Sequence, residues 1–376
     1  MSANPASFAP ALAMLLFAAA ILGLAPAATP SEATFPGYNG KLVFTNVSAP
    51  GEKLVLINPT GADRQELTGG AARDMDGVWS ADGQKIAFSR GVNTAAVYFM
   101  NADGSGLTLV SQGADNIDDY VPAWSPDGSK IAFASYRSGQ SEIWVMNQNG
   151  TGATQLTNAT GIDSDPSWSP DGTKIAFFSE RDGGEPEIYV MDADGGNQTR
   201  LTNAPGWDTG PKWSPDGQTI YWSDPNNGIS AMNANGTNQR QVVGDGAQDP
   251  APSPDGNLIA FARGDGLYTM KPDGTHIVHV PGTVRNDYGP DWQPLAQPPV
   301  VVGDADCDED ADAVDALHVL RNVAGLPNTA NCLANANVKC DDGMTAVDAL
   351  LILRNVALLQ VNLPPACPDV GSILTS

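Results

Sequence analysis

The chain has 376 residues and is strongly acidic, because 43 Asp and Glu against 19 Lys and Arg give a formal net charge of −24. A surface of this sign repels phosphate backbones and anionic lipid, which argues against nucleic-acid binding and against docking on a membrane surface; basic or metal partners fit better. Hydrophobic residues form 41% of the chain, enough for a sizeable core in one large or two ordinary domains, so we do not expect disorder as the main state.

The first segment is typical of export. An apolar run from Ala11 to Ala25 precedes the small-residue sequence Ala25-Pro26-Ala27-Ala28. The run is shorter than the roughly 20 residues that a membrane-spanning helix needs. We therefore predict that residues 1–28 are a signal peptide, that the mature chain has no membrane span, and that the protein is secreted, extracellular or attached to the cell surface. An uncleaved anchor is the alternative.

A six-fold repeat follows. The phrase Trp-Ser-Pro-Asp-Gly, or a close variant, recurs at intervals of 39 to 45 residues, starting at Trp79, Trp124, Trp168, Trp213, Pro252 and Trp292. Each full copy continues into an alternating strand such as 130–135 or 174–179, and then into a second strand such as 142–146 or 187–191. A tight turn ends each copy, with its glycine at Gly61, Gly104, Gly150, Gly195, Gly236 and Gly274. This period predicts a propeller of six blades.

The first and last copies are incomplete in complementary ways. The first begins at the strand 41–45 without its leading phrase, whereas the last has only the leading phrase at Trp292. If the strand of Trp292 pairs with 41–45, the N- and C-terminal strands close the ring and leave no exposed edge at the seam. The sequence thus predicts an all-β six-bladed propeller with four-stranded blades over residues 38–295.

These phrases resemble the WD40-like, TolB-type propeller repeat (PD40), in which Trp-Ser-Pro-Asp-Gly leads through Ile-Ala-Phe to Ile-Tyr-Val-Met. The resemblance covers about residues 38–295 and identifies a fold better than an activity. TolB-type repeats occur in binding proteins, beside peptidase domains and in some lyases.

A second, two-fold repeat begins after a Pro-rich linker at 296–302. Residues 313–326 and 346–359 match at 11 of 14 places, and their leucines and valines fall on one helical face. Two antiparallel helices could bury these faces against each other, which predicts a small helical module at 303–367.

An acidic loop precedes each of these helices. Residues 304–315 hold seven carboxylates, with aspartates at the ligand spacing of an EF-hand-type calcium loop, so the strongest predicted calcium site lies here. Its candidate ligands are Asp304, Asp306, Asp308, Asp310, Asp312 and Asp315. The second loop offers Asn337, Asp341, Gly343, Thr345 and Asp348 as ligands, but it places Lys339 at a ligand position. The sequence therefore fits a weak site, or no site, as well as it fits a working one.

Loop, helix, linker, loop and helix together resemble a dockerin, a calcium-dependent module that docks onto cohesin domains. The resemblance implies a cohesin-like partner. The residues that it implies at the interface are Ala313, Val314, Ala346 and Val347.

All four cysteines lie in or beside this module, and an even count in an exported protein favours disulfides over free thiols or a zinc site. Pseudo-two-fold symmetry suggests Cys332–Cys340 with Cys307–Cys367. The pairing within each repeat, Cys307–Cys332 with Cys340–Cys367, stays open.

Acidic residues recur just before each expected inner strand of the propeller and should gather on one face around the axis. They are Asp74, Asp76, Asp118, Asp119, Asp163, Asp165, Asp208, Asp249 and Asp287. One interpretation is a negative mouth for a cation, a basic peptide or a polar sugar. The other, which we favour, is that each caps its loop or pairs with an arginine, the candidates being Arg90, Arg137, Arg181 and Arg263.

Catalytic motifs are weak. A Gly-x-Ser-x-Gly elbow is missing, and His276 and His279 would point to opposite faces of a strand. We therefore expect a secreted binding protein that recognises an extracellular glycan or peptide and is attached through its dockerin-like module. The alternative is a polysaccharide-active hydrolase or lyase with its site on the propeller mouth.

Overall fold

The computed structural model describes residues 38–48, 51–111, 117–203, 205–244 and 246–295, together with two short strands at 300–301 and 373–374. The predicted signal peptide, most of the linker and the dockerin-like module with its calcium ligands, cysteines and interface residues lie outside these described residues. No helix that could span a membrane occurs within the described ranges.

Six antiparallel sheets of four strands each form the blades of a propeller. From the axis outward, blade 1 contains β24 (Asp287–Leu295), β1 (Tyr38–Ser48), β2 (Gly51–Ile57) and β3 (Gln65–Glu66). Blade 2 contains β4 (Arg73–Trp79), β5 (Lys85–Gly91), β6 (Ala95–Asn101) and β7 (Thr108–Leu109). Blade 3 contains β8 (Asp119–Trp124), β9 (Lys130–Ser135), β10 (Glu142–Asn147) and β11 (Thr154–Gln155).

The other three blades have the same order. Blade 4 contains β12 (Asp163–Trp168), β13 (Lys174–Ser179), β14 (Glu187–Asp192) and β15 (Thr199–Arg200). Blade 5 contains β16 (Thr209–Trp213), β17 (Thr219–Asp224), β18 (Gly228–Asn233) and β19 (Arg240–Val243). Blade 6 contains β20 (Gln248–Pro252), β21 (Ile259–Arg263), β22 (Gly266–Met270) and β23 (Val278–His279). A separate pair joins β25 (Val300–Val301) to β26 (Ile373–Leu374).

The ring closes through blade 1, as predicted. Strand β1 pairs antiparallel with β24 from Tyr38↔Leu295 to Asn46↔Asp287, so the first and last strands of the propeller share one sheet. The predicted turn glycines are also confirmed, since all six adopt φ between 81° and 89°, a region that glycine enters without a steric penalty.

The core consists of layers between neighbouring blades. The second strand of each blade points one large aromatic side chain into these layers, and each is at most 3% exposed: Phe44, Phe88, Phe133, Phe177, Trp222 and Phe261. The inner-strand tryptophans pack beside them, and Trp292 Nε1 donates a hydrogen bond to Ala251 O of the preceding blade at 3.0 Å. Six hydrophobic clusters result, one at each blade interface.

Two kinds of connection define the two faces of the ring. In an antiparallel blade, the loops between the second and third strands and those entering the next inner strand lie at one end, and the Ser-Pro-Asp-Gly turns lie at the other. We call the first end the mouth face and the second the turn face.

Candidate functional site

Every inner strand carries the same irregularity at its midpoint. The pairing register shifts there, and one residue adopts left-handed φ between 48° and 58°. These six residues are Asp76, Val121, Asp165, Gly210, Asp249 and Gly289. Such bulges re-aim the neighbouring side chains, and here the six residues line the central channel.

The channel has two chambers. The chamber on the mouth side has a volume of about 120 Å³ and is lined by all six inner strands. The chamber on the turn side has a volume of about 90 Å³, and four inner-strand tryptophans line it: Trp79, Trp124, Trp168 and Trp213. Val78, Lys212 and Asp291 line both chambers and therefore mark the waist of the channel.

Four carboxylates face this channel, and we call Asp76, Asp165, Asp249 and Asp291 the channel carboxylates. Three accept a hydrogen bond from a backbone N–H of the following blade. The bonds run from Gly210 N to Asp165 Oδ2 at 3.2 Å, from Gly289 N to Asp249 Oδ2 at 3.1 Å, and from Trp79 N to Asp291 Oδ2 at 2.8 Å. Asp76 instead accepts one from Ser89 Oγ of its own blade at 3.0 Å.

Burial dominates the electrostatics of this group. It raises the pKa of Asp165 and Asp249, and raises the pKa of Asp76 and Asp291 to about 6. The negative charges of Asp165 and Asp249 raise the pKa of Asp76 further, whereas Lys212 lowers the pKa of all four. Lys212 is the one cationic side chain among the described residues that line the mouth chamber. A ligand that brings positive charge would therefore complement the channel.

A second set of aspartates lies two residues before the bulge in five of the six blades. We call Asp74, Asp119, Asp163, Asp208 and Asp287 the buried aspartates, since each is at most 3% exposed. In three blades the partner is an arginine: Arg90 lies 3.1 Å from Asp74, Arg137 2.6 Å from Asp119, and Arg181 2.8 Å from Asp163.

The other buried aspartates have neutral partners. Trp222 Nε1 donates to Asp208 Oδ1 at 2.9 Å, and Asn46 Nδ2 donates to Asp287 Oδ1. Burial raises the pKa of Asp208 to about 6 and also raises the pKa of Asp287. In blade 6, Ala247 takes this position, and Arg263 packs over the ring of Tyr268 at 5.8 Å.

Both interpretations of the acidic repeat are thus partly right. The pairing with arginine is confirmed for Arg90, Arg137 and Arg181, whereas Asp76, Asp165 and Asp249 face the channel. The expectation that the acidic residues precede the inner strands was wrong for most of them. Seven of the nine lie within those strands, because the bulge lengthens each strand toward the mouth face; Asp118 and Asp208 precede theirs.

Apolar side chains surround the mouth. Five large ones on this face are exposed: Val47, Val92, Tyr136, Trp207 and Val284. Tyr136 stacks on Tyr120 with ring centroids 6.0 Å apart, and Tyr120 Oη lies 2.6 Å from Ser141 Oγ. Exposed apolar groups around a polar opening are typical of binding faces.

Within the described ranges, no group of three or more His, Cys, Asp or Glu is arranged to hold a metal ion. Sequence reasoning did not identify Lys212, Asp291 or Trp207 as site residues. An alignment of the six repeats against each other would have shown them, since each carries a side chain that the equivalent positions lack.

Comparisons with known proteins agree with this architecture. Residues 116–296 match the family model of PD40, the TolB beta propeller domain. A Tol-Pal system protein TolB of Anaeromyxobacter sp. (strain K) is 37% identical over 117 residues, which are 29% of this chain and 26% of that protein. An uncharacterized protein of Agrobacterium fabrum is 29% identical over 108 residues, 28% of this chain and 36% of that protein.

The chain thus spans between a quarter and just over a third of these curated relatives. Among solved structures, TolB from Acinetobacter baumannii superposes with a TM-score of 0.61 at 24% identity, covering 69% of this chain and 68% of that one. At this identity the superposition shows the fold alone. The family match and the fold together confirm the predicted TolB-type propeller.

Proposed function

We propose that this protein is an extracytoplasmic binding protein whose propeller mouth receives a positively charged segment of a partner protein. The observation that carries the proposal is the mouth chamber, where four carboxylates and a single lysine line a channel open to the mouth face. A chain with net charge −24 adds a long-range attraction for basic partners.

The raised pKa values of the channel carboxylates support a cationic ligand over an anionic or neutral one. Burial and mutual repulsion disfavour their charged forms, and Asp76 has a pKa of about 6. An entering lysine or arginine side chain would supply the opposite charge that these groups lack. A neutral sugar would leave the repulsion in place.

The relatives fit a binding role. Curated relatives at 37 to 38% identity carry the name Tol-Pal system protein TolB, which assigns them to a multi-component system rather than to a reaction. The location outside the cytoplasm rests on the predicted signal peptide at 1–28.

The second half of the proposal is attachment. Residues 303–367 would bind calcium through Asp304, Asp306, Asp308, Asp310, Asp312 and Asp315, and dock to a cohesin-like partner. The pairing of β25 with β26 supports a compact module, because it brings residues 301 and 373 together on either side of it. Cys307 and Cys367 each lie six residues from that pair, which favours the Cys307–Cys367 disulfide.

A peptide-binding experiment tests the propeller half. Fluorescence anisotropy of labelled arginine-containing Gly-Ser peptides with the mature chain should show binding that weakens with salt. The double variant Asp76→Asn/Asp249→Asn should lose about tenfold in affinity. Asp103→Asn, which removes a carboxylate from an exposed turn on the turn face, serves as the matched control. Glycan binding without peptide binding contradicts the proposal, and turnover of a bound glycan would establish the enzyme alternative.

Calorimetric titration of the oxidised mature chain with calcium tests attachment. One site should be lost in Asp304→Ala/Asp315→Ala, while Lys339→Asp should strengthen the second loop. The channel variant Asp76→Asn/Asp249→Asn should leave this uptake unchanged. No calcium uptake at millimolar concentration would exclude the dockerin-like module.

A further inference from the structure

One tryptophan of the propeller is exposed. Trp207 lies in the loop between β15 and β16 on the mouth face and is 63% exposed, whereas the other described tryptophans are buried or half-buried. Exposing an indole to water is unfavourable. If the fold required this exposure, the contacts of the Trp207 ring within the loop would show it.

Those contacts hold the backbone on both sides of Trp207 and leave its ring outside. Gly206 N donates to Glu185 Oε2 at 3.2 Å, and Asn226 Nδ2 donates to Pro205 O at 2.7 Å. Asp208 is one of the buried aspartates, and its backbone N donates to Pro186 O at 2.9 Å. The loop is thus fixed by the neighbouring loops of blades 4 and 5, and it presents the indole in a defined place.

The glycine before Trp207 shows how closely this loop is packed. Gly206 has φ of 133°, and a Cβ atom there would lie 2.5 Å from Asn226 Nδ2.

The repeat itself does not require the tryptophan. The residue equivalent to Trp207 differs in every other blade: Arg73, Asp118, Ile162, Gly246 and Asn286, of which Gly246 precedes Ala247 instead of a buried aspartate.

The charges beside Trp207 define what it can bind. Glu185 is exposed, and its carboxylate lies next to the Trp207 backbone through its bond to Gly206. The two arginines of blade 4 are already paired, Arg200 with Asp182 and Glu187 and Arg181 with Asp163. Trp207 presents an exposed indole, and a carboxylate without a cationic partner in the described residues holds the backbone of the same loop. Both groups complement a cation, because a cation binds over the face of tryptophan most strongly.

We propose that Trp207 and Glu185 form a rim subsite for the lysine or arginine side chain of an incoming polypeptide, with the cation over the indole and its N–H groups bonded to the carboxylate. This inference rests on the proposed function, since it describes a second contact of the same segment. Trp207 lies three residues from Gly210, which lines the channel, so the Cα atoms of these two residues are at most about 11 Å apart. A segment with two basic residues a few positions apart can reach both.

The test uses the full mature chain and short Gly-Ser peptides with one arginine or with two arginines separated by two residues. We expect the two-arginine peptide to bind more tightly and to change the fluorescence of Trp207. Trp207→Ala should weaken it about tenfold, and Trp207→Phe should retain part of the affinity, as expected for a cation–π contact. Glu185→Gln keeps an acceptor for Gly206 N and removes only the charge, so it should reduce both affinity and salt dependence.

Two controls separate this inference from the proposed function. Leu107→Ala trims an exposed apolar side chain, 49% exposed, in the turn between β6 and β7 on the turn face and should have no effect. If basic peptides bind and only the channel variants weaken them, the rim subsite is wrong and the proposed function stands. If Trp207→Ala abolishes binding of neutral oligosaccharides instead, both are wrong and the site takes a sugar.

Discussion

Two layers of aspartate lie in or just before the inner strands, and they differ in how regularly they repeat. The buried aspartates occupy five of six blades, and each has a dedicated partner from its own blade. The channel carboxylates come from four blades and two different positions, and they share one lysine. The buried aspartates therefore follow the repeat of the blades almost throughout, whereas the channel carboxylates depend on the closed ring as a whole.

The two layers also differ in which groups compensate the buried negative charge. An arginine within 3.1 Å offsets the charge of Asp119 and Asp163 locally and that of Asp74 in part, since burial still raises the pKa of Asp74. The channel carboxylates rely on backbone N–H groups and a shared lysine, and their pKa values are raised by burial. The charges of the first layer are balanced within single blades, while those of the second are balanced across the channel.

The largest expected effect comes from removing one channel carboxylate together with half of the strand that holds one buried aspartate. A chain ending at Leu295 should fold, whereas a chain ending at Pro290 loses Asp291 and the buried Trp292, and its shortened β24 holds Asp287 poorly. The loss should exceed about 5 kcal/mol, comparable to the whole stability of a domain. Thermal unfolding by circular dichroism measures it. Equal melting temperatures for the two chains would refute closure through blade 1.

The next largest effect concerns the buried layer alone. Asp119→Ala leaves Arg137 buried without its partner and should destabilise the propeller by about 3–5 kcal/mol. Urea unfolding measures this cost. The double variant Asp119→Ala/Arg137→Met should recover part of it. A double variant as unstable as the sum of the two single ones would show that the pair does not act as a unit.

Replacing the channel carboxylates should stabilise the protein, in contrast to replacing a buried aspartate. The pKa of Asp76 and of Asp291 is raised to about 6 in the fold, so stability present below pH 4 is lost as the pH rises through 6. Asp76→Asn/Asp291→Asn should therefore stabilise the protein by about 1–2 kcal/mol at pH 8 and flatten this dependence. The neighbouring charged groups are Asp165, Asp249 and Lys212. Lys212→Met is the contrasting variant and should steepen the loss; a flat wild-type profile would contradict the raised pKa values.

The smallest expected effect tests which feature each blade needs at the bulge position, the left-handed backbone or a carboxylate side chain. Val121 adopts φ of 48°, which is strained for a β-branched residue. Val121→Gly should be neutral or stabilise by up to about 1 kcal/mol, since glycine stands at the equivalent positions 210 and 289. Calorimetric melting measures it, with Val92→Ala as a surface control. A loss of more than about 1 kcal/mol would show that the Val121 side chain contributes packing.

Much of the propeller followed from the sequence. The predicted strands 130–135 and 174–179 coincide with β9 and β13, because a single period of alternation fixes them locally. Blade number and closure followed from the repeat count, and three arginine partners followed from the blade geometry, which places them on the same face as the aspartates. The dockerin-like module, its calcium ligands and its cysteines stay predictions.

The channel was less predictable, because its members meet only after the ring closes. Lys212 and Asp291 lie in strands of different blades and share the waist through the fold alone. The left-handed conformation of Asp76 and Asp165 has no sequence signal of its own, since glycine, valine and aspartate all occupy that position. Trp207 could have been noticed as an apolar residue in a polar loop, but its exposure depends on how Pro205 and Asp208 are held.

The closure of the ring has a mechanical consequence. The chain continues from Leu295 toward the C-terminal residues, so any pull transmitted from that side reaches the propeller through β24. Strand β24 lies at the axis and is paired along its length with β1, from Tyr38 to Asn46. A load along the strand would therefore act on these hydrogen bonds together, in shear, and the strand that bears the tension is the one that contributes Gly289 and Asp291 to the channel.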